Sequence, residues 1–318
     1  MAKVLVTGGA GYIGAHACKA LAQAGYTPVA FDNLSTGHRA AVKFGPLVEG
    51  DLLNRAAIDA ALAEHAPIAV MHFAALSQVG ESMQDPGRYW RENVLGGLNL
   101  IEATQAAGID KFIFSSTCAT YGDQDGVVLN EETEQHPINA YGGSKLAIEQ
   151  MLRDFSPKGL TYVIFRYFNV AGADPDAEVG EAHDPETHLA VSGARGALTI
   201  FGTDYDTADG TCIRDYVHVS DLVDAHVAGL KWLEEGKSSE VFCLGTGNGF
   251  SVREVVAAAA AVTNGPVPIE EGPRRAGDAV KLVCGSDKAR TQLGWTPSRS
   301  TMPQMLRDAH RWHASDGF

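Results

Sequence analysis

The stretch Thr7-Gly8-Gly9-Ala10-Gly11-Tyr12-Ile13-Gly14 constrains this chain more than any other. It follows Lys3-Val4-Leu5-Val6, an apolar run that predicts a buried strand. It opens residues 15–24, an alanine-rich stretch without proline that predicts a helix. A strand, a glycine-rich turn and a helix make a site for a pyrophosphate. Glycines let the backbone turn tightly and approach the ligand, and the helix start offers free N–H groups and a partial positive charge. The glycines are spaced three and three rather than two and three, and a plain tight connection would also satisfy that pattern. The context narrows it. The next apolar run, Thr27 to Phe31, ends in Asp32, placed where a carboxylate accepts from a ribose 2′-OH. A solvated turn carboxylate is the alternative. A 2′-phosphate would be repelled there, and Asn33, Leu34 and Ser35 supply no arginine. NAD is therefore favoured over NADP.

Further runs continue the alternation. Strands are expected at 46–51, 68–73, 111–114, 160–165 and 240–244, and helices at 54–64, 89–107, 140–154, 220–233 and 252–262. Strands alternating with helices imply an α/β fold, a Rossmann-type doubly wound parallel sheet. From Asn169 the regularity breaks and Gly, Pro, Asp and His become frequent up to Gly193, which reads as site-forming loop. The expected division is an NAD-binding domain at 1–168, rejoined by 218–244, and a smaller α/β substrate domain from 169–217 and 245–318. The tail is expected to alternate turns and short helices.

Net charge is −14, which argues against nucleic-acid or anionic-membrane partners. No stretch approaches a membrane span, and the N-terminus runs straight into a strand, so no signal peptide is expected. Cys18, Cys118, Cys212, Cys243 and Cys284 are scattered, without metal-ligand or redox spacing. A reduced, cytoplasmic setting and no metal are the simplest reading.

Tyr141-Gly142-Gly143-Ser144-Lys145 is the second informative stretch. Tyr141 and Lys145 are i and i+4 at an expected helix start, so both lie on one face. A tyrosine with a pKa of about 10 needs roughly 4 kcal/mol of help to serve as a base near pH 7. A lysine ammonium one turn away and an oxidised nicotinamide both favour phenolate. The bare spacing equally fits an exposed Tyr/Lys pair. Ser115-Ser116-Thr117 closes the fifth expected strand, where hydroxyls could meet a substrate oxygen or form a local turn network. The combination of glycine turn, acid, hydroxyls and Tyr-x-x-x-Lys favours chemistry.

With these pieces the chain resembles the extended short-chain dehydrogenase/reductase superfamily, and within it the UDP-glucose 4-epimerases (UDP-galactose 4-epimerases). The resemblance covers nearly the whole length. Besides the stretches above it rests on Asp32-Asn33-Leu34-Ser35, Gly50-Asp51-Leu52, Arg166-Tyr167-Phe168-Asn169, residues 180–189, Asp209-Gly210-Thr211-Cys212-Ile213-Arg214-Asp215-Tyr216 and Arg275-Ala276-Gly277-Asp278. It implies epimerisation at C4′ of a UDP-hexose through a transient 4-keto sugar, with NAD retained and regenerated. Tyr141 would move the 4′-OH proton and Lys145 would hold the nicotinamide ribose and depress the Tyr141 pKa. Thr117 would bond the 4′-oxygen, with Ser116 beside it. For NAD the resemblance points to Gly8, Gly11, Tyr12, Ile13, Gly14, Asp32, Asn33, Ser35, Asp51 and Leu52. It adds Phe73, Ala74, Ala75, Asn93, Ser115 and Tyr167, with Tyr141 and Lys145. For the UDP-sugar it points to Asn169, Leu189, Phe201, Arg214, Arg275 and Asp278. A homodimer through the helices near 89–107 and 140–154 is implied as well.

The resemblance also discriminates. Related 4,6-dehydratases and decarboxylases carry an acid just after the Thr, where this chain has Cys118 and Ala119. Plain epimerisation is therefore expected. His72, His183 and His188 are expected to be neither metal ligands nor acid/base groups. Relatives often have Ser at the Thr117 position, and some carry a Lys after the fourth strand where this chain continues into Ser77. The bridge at 190–197 is short and glycine-rich, and a deletion loosening one wall of the UDP site is expected. Leu282 lies where relatives place a residue flanking the sugar, which leans towards plain hexoses. A UDP-N-acetylhexosamine or UDP-pentose epimerase is the nearest alternative, and a non-catalytic NAD-binding regulator is a different class.

Overall fold

A computed structural model describes residues 1–124, 127–182, 198–275 and 278–315. Seven parallel strands form the main sheet. In spatial order they are Glu240–Leu244, Thr161–Tyr167, Lys111–Ser115, Ala69–His72, Lys3–Thr7, Thr27–Asp32 and Leu47–Glu49. The order reverses between Lys3–Thr7 and Ala69–His72, and a crevice opens beyond the carboxyl ends of strands at such a switch point. Alternation along the first strand sends Val4 and Val6 to one face and Leu5 to the other, all fully buried. Helices Tyr12–Gln23 and Val219–Glu234 cover the first face. Helices Arg55–His65, Gly96–Ala106 and Ala140–Phe155 cover the second.

A second sheet has the order Gly249–Ser251, Ile213–His218, Lys281–Cys284 and Val128–Leu129, with Asn169–Ala171 also paired to Ile213–His218. Leu198–Phe201 and Ile269–Gly272 form a separate parallel pair. Helices Val252–Thr263 and Met302–Ala314 pack together around Val255, Ala259, Met305 and Leu306. Lys19, on the first helix of the main sheet, is buried against Asp174, both carboxylate oxygens lying within 2.8 Å of Nζ. Tyr12 donates to the Gly172 carbonyl at 2.6 Å. These bonds tie the glycine turn's helix to the segment entering the second sheet.

Two expectations need correction. The helix expected at 89–107 is three consecutive pieces: Pro86–Tyr89, a π-helical turn Trp90–Leu95, and Gly96–Ala106. The tail holds a 13-residue helix, Met302–Ala314, where only short helices were expected. Met302, Met305, Leu306, Ala309 and Trp312 recur on its buried face.

Candidate active site

The glycine turn needs its glycines for room. Gly8 has φ +74°, and a Cβ there would stand 2.7 Å from the Ala74 nitrogen. A Cβ on Gly14 would stand 2.0 Å from the Gly8 carbonyl oxygen, so the helix packs directly on the turn. No side chain caps the helix start at Gly11, and Gly11, Tyr12 and Ile13 line a cavity of 990 Å³. Asp32 lies in the same cavity, its carboxylate fixed at both oxygens. Oδ2 accepts from the Ala10 N–H at 3.0 Å and Oδ1 from the Leu34 N–H at 2.8 Å. Asp51 accepts from the Leu53 N–H at 2.8 Å and from Asn33 Nδ2 at 3.0 Å. A glycine-rich turn at an uncapped helix start beside an oriented carboxylate fits a dinucleotide with a free ribose diol.

The π-helical turn presents Asn93 inward. Its amide accepts from the Leu76 N–H at 2.8 Å and donates to the Leu76 carbonyl at 3.0 Å, and it also donates to Ser144 Oγ at 3.0 Å. One side chain thus holds the loop after the fourth strand against the helix Ala140–Phe155. Phe73, Ala74, Ala75 and Leu52 line the cavity alongside it.

Asn139 caps that helix, accepting from the Gly142 N–H at 2.8 Å. The cap fixes Tyr141 and Lys145 in the first turns, facing the end of strand Lys111–Ser115. Burial pushes the Tyr141 phenol up to about 12, and the neighbouring Thr117 hydroxyl works in the opposite direction. Lys145 Nζ donates to the Ser115 carbonyl at 2.9 Å and lies 4.9 Å from the Phe114 ring centroid. Burial pushes the ammonium down to about 7, and Glu149 one turn on opposes this. Ser115 Oγ is hydrogen-bonded to the Tyr167 hydroxyl. Tyr89 stands edge-on to Tyr141, centroids 6.5 Å apart. A half-buried phenol on the cavity wall, an ammonium near its neutral point and a hydroxyl can exchange a proton with a substrate alcohol.

The other end of the cavity is cationic. Arg214, Arg275 and Asp278 line it with Asn169 and Leu282. Arg214 Nη2 lies 3.5 Å from Asp278 Oδ1. Arg275 stacks its guanidinium 3.8 Å from the Phe201 ring centroid. Two guanidiniums at one mouth suit a pyrophosphate.

The cavity wall gathers every expected cofactor residue, together with Thr117, Tyr141, Lys145, Asn169, Arg214, Arg275 and Asp278. Two expected site residues stand outside the wall. Ser116 turns away and donates to Glu149 Oε1 at 2.6 Å, because neighbouring residues of an extended strand face opposite sides. Phe201 lies under Arg275 instead of on the wall. Leu189, His183, His188 and the 190–197 bridge lie outside the described residues. His72 shares a 2.7 Å hydrogen bond with Thr7 Oγ1 inside the sheet. The sequence reading missed Gln78, Glu81 and Asn139, which line the cavity, and Tyr89, whose hydroxyl donates to the Gln78 carbonyl at 2.7 Å. Only the Asn139 cap had a local signal, an Asn directly before a helix start.

The profile of the NAD dependent epimerase/dehydratase family matches residues 4–245. A UDP-glucose 4-epimerase of Rhizobium leguminosarum bv. trifolii is 51% identical over 318 residues, spanning 98% of this chain and 97% of the relative. The crystal structure of UDP-glucose 4-epimerase from Brucella ovis in complex with NAD superposes with a TM-score of 0.93 at 45% identity, covering 98% of each chain. That of UDP-glucose 4-epimerase from Bifidobacterium longum in complex with NAD+ and UDP gives 0.94 at 34% identity, covering 99% of this chain and 100% of that one.

Proposed function

The chain belongs to the NAD dependent epimerase/dehydratase family, and we propose that Tyr141, Lys145 and Thr117 carry out its reaction, NAD-dependent epimerisation at C4′ of a UDP-hexose. The observation that carries this assignment is the grouping of Tyr141, Thr117 and Lys145 on the wall of one cavity that also takes in the glycine turn, Arg214 and Arg275.

Gly8, Gly11, Gly14 and Asp32 would hold the dinucleotide, with Asp51, Asn93 and Lys145 around it. When bound, the cofactor supplies a reversible hydride acceptor and, oxidised, a positive charge. The chain's own residues handle the proton. Tyr141 takes it from the C4′ hydroxyl and returns it to the same oxygen once the sugar has turned its other face towards the cofactor position. Thr117 orients the oxygen, and Lys145 supplies the cation that favours phenolate. Arg214 and Arg275 hold the pyrophosphate while the sugar turns, with Asp278 placed for a ribose hydroxyl.

We assign 1–168 with 218–244 to the cofactor domain, and 169–217 with 245–318 to the substrate domain. Leu282 on the cavity wall favours a plain hexose over an N-acetylhexosamine. Met83, Trp90, Leu95 and Ile138 are exposed apolar side chains on and beside the helices at 79–106 and 140–155. They suit burial between two copies, so the protein is read as a homodimer, testable by light scattering on a sizing column. Its five cysteines are buried and unbridged, which suits the cytoplasm. Among the described residues no helix is long and apolar enough to cross a membrane.

The test is turnover of UDP-galactose with no added NAD, comparing the parent with Tyr141→Phe. UDP-glucose from the parent and none from the variant supports the assignment. An active Tyr141→Phe enzyme sinks it.

A further inference from the structure

We propose that Glu149 is a positioning residue for this reaction, holding the catalytic helix in register with the strand end it faces. The proposal rests on the assignment of Tyr141 and Lys145 above. Tyr141, Lys145 and Glu149 stand at i, i+4 and i+8 on helix Ala140–Phe155 and share one face. Each meets a different residue of one tripeptide. Tyr141 shares the cavity wall with Thr117, Lys145 Nζ donates to the Ser115 carbonyl at 2.9 Å, and Glu149 Oε1 accepts from Ser116 Oγ at 2.6 Å. The first two contacts lie at the cavity. The third lies behind it, since neither Ser116 nor Glu149 lines the cavity wall.

Glu149 is fixed from other directions as well. Arg166, on the adjacent strand Thr161–Tyr167, donates Nε to Oε1 at 3.0 Å and Nη2 to Oε2 at 2.6 Å. Arg153 donates to Oε2 at 3.0 Å and Gln135 at 3.3 Å. Burial pushes the Glu149 carboxyl up, but Arg166, Ser116 and Arg153 outweigh it and keep it ionised. One fully buried carboxylate therefore joins the catalytic helix, the Ser115–Thr117 segment and the neighbouring strand. Burying an ion pair is a weak route to stability, because desolvation offsets the attraction. A two-point guanidinium–carboxylate contact does impose geometry. Rates fall about 100-fold for displacements near 1 Å, so the register of Tyr141 on Thr117 is what this contact protects.

The experiment uses the full chain in its NAD-loaded form. Glu149→Gln, Ser116→Ala and Tyr141→Phe are compared with the parent for kcat, KM towards UDP-galactose and Tm. Glu149→Gln should lower kcat about 100-fold with KM within about two-fold. Ser116→Ala leaves the Glu149–Arg166 pair intact and should lower kcat about five-fold with a smaller loss of Tm than Glu149→Gln. The proposal is overturned if folded Glu149→Gln keeps kcat within about two-fold of the parent while Tyr141→Phe is dead. If Glu149→Gln does not fold, the same result for Ser116→Ala overturns it. A loss that appears in KM instead of kcat overturns it as well. Activity in Tyr141→Phe would sink the site assignment, and this proposal with it.

Discussion

Lys145 donates its ammonium to the main-chain carbonyl of Ser115, at 2.9 Å. The cation is thus held by the backbone of the strand whose end carries Thr117, and no side-chain change at 115 removes the bond directly. Burial has already brought this ammonium down to about 7, so it can lose or regain its proton under working conditions. Lys145→Met removes the cation and leaves the carbonyl without that donor. The expected result is a kcat at least about 100-fold lower in NAD-loaded protein. Turnover within about three-fold of the parent would take Lys145 out of the chemistry.

Three histidines make the fold sensitive to acid. Burial pushes His16 and His226 down to about 4 and His72 to about 3. Nδ1 of His16 and His226 bonds a helix carbonyl one turn back. Their Nε2 atoms, and that of His72, have no partner among the described residues. The unfolded chain binds these protons near pH 6.5 and the native state does not until 3–4, so stability falls as pH drops below about 6.5. At pH 5 each histidine accounts for about 2 kcal/mol, about 6 kcal/mol together. Asp215 and Asp224, pushed up by burial, work the other way. Urea melts at pH 7 and pH 5 should differ by several kcal/mol. His226→Phe, filling a site between Phe73 and Phe165, should remove about a third of the histidine contribution. Equal stability at the two pH values would refute the account.

Arg275 reaches the cavity while resting on Phe201, 3.8 Å from its ring centroid. A stacked guanidinium keeps its plane and its donors aimed at an anion. Arg275→Ala should raise KM for UDP-galactose about ten-fold or more and leave kcat nearly unchanged, since the pyrophosphate is bound alike in ground and transition states. Phe201→Ala should raise KM less. A fall in kcat at constant KM would place Arg275 with the reacting sugar.

What could be read from the sequence was what is local in it. The glycine turn, Asp32 and Tyr141-x-x-x-Lys145 are set by spacing within one strand–turn–helix or one helix start, and each stands on the cavity wall. Ser116 went astray for want of one bit of information: which face of a strand end a residue takes depends on the helix opposite, here through Glu149. The clamp of Asn93 on Leu76 depends on a π-helical turn, which no apolar spacing announces. The second sheet joins Val128–Leu129 to Lys281–Cys284, two short strands more than 150 residues apart. The helix Met302–Ala314 did carry its apolar period, but charged and polar residues interrupt it.

The turn that organises the chain gives the most direct test of cofactor grip. A methyl on Gly14 would sit 2.0 Å from the Gly8 carbonyl oxygen and 3.0 Å from Gly9 Cα, all main-chain atoms that no rotamer change can move. The helix Tyr12–Gln23 would have to retreat from the turn, carrying its N-terminal N–H groups away from the pyrophosphate position. Gly14→Ala should therefore cost about 1–3 kcal/mol in stability through overpacking. It should also strip the bound cofactor, read as NAD released per chain on denaturation. Added NAD should restore turnover only in part. Gly25, with φ +89° and open space within 4 Å of where a Cβ would stand, is the control: Gly25→Ala strains the backbone but leaves the turn alone. It should lower Tm without changing the NAD content. Full NAD occupancy in Gly14→Ala would show that the close approach of helix and turn is not what holds the dinucleotide.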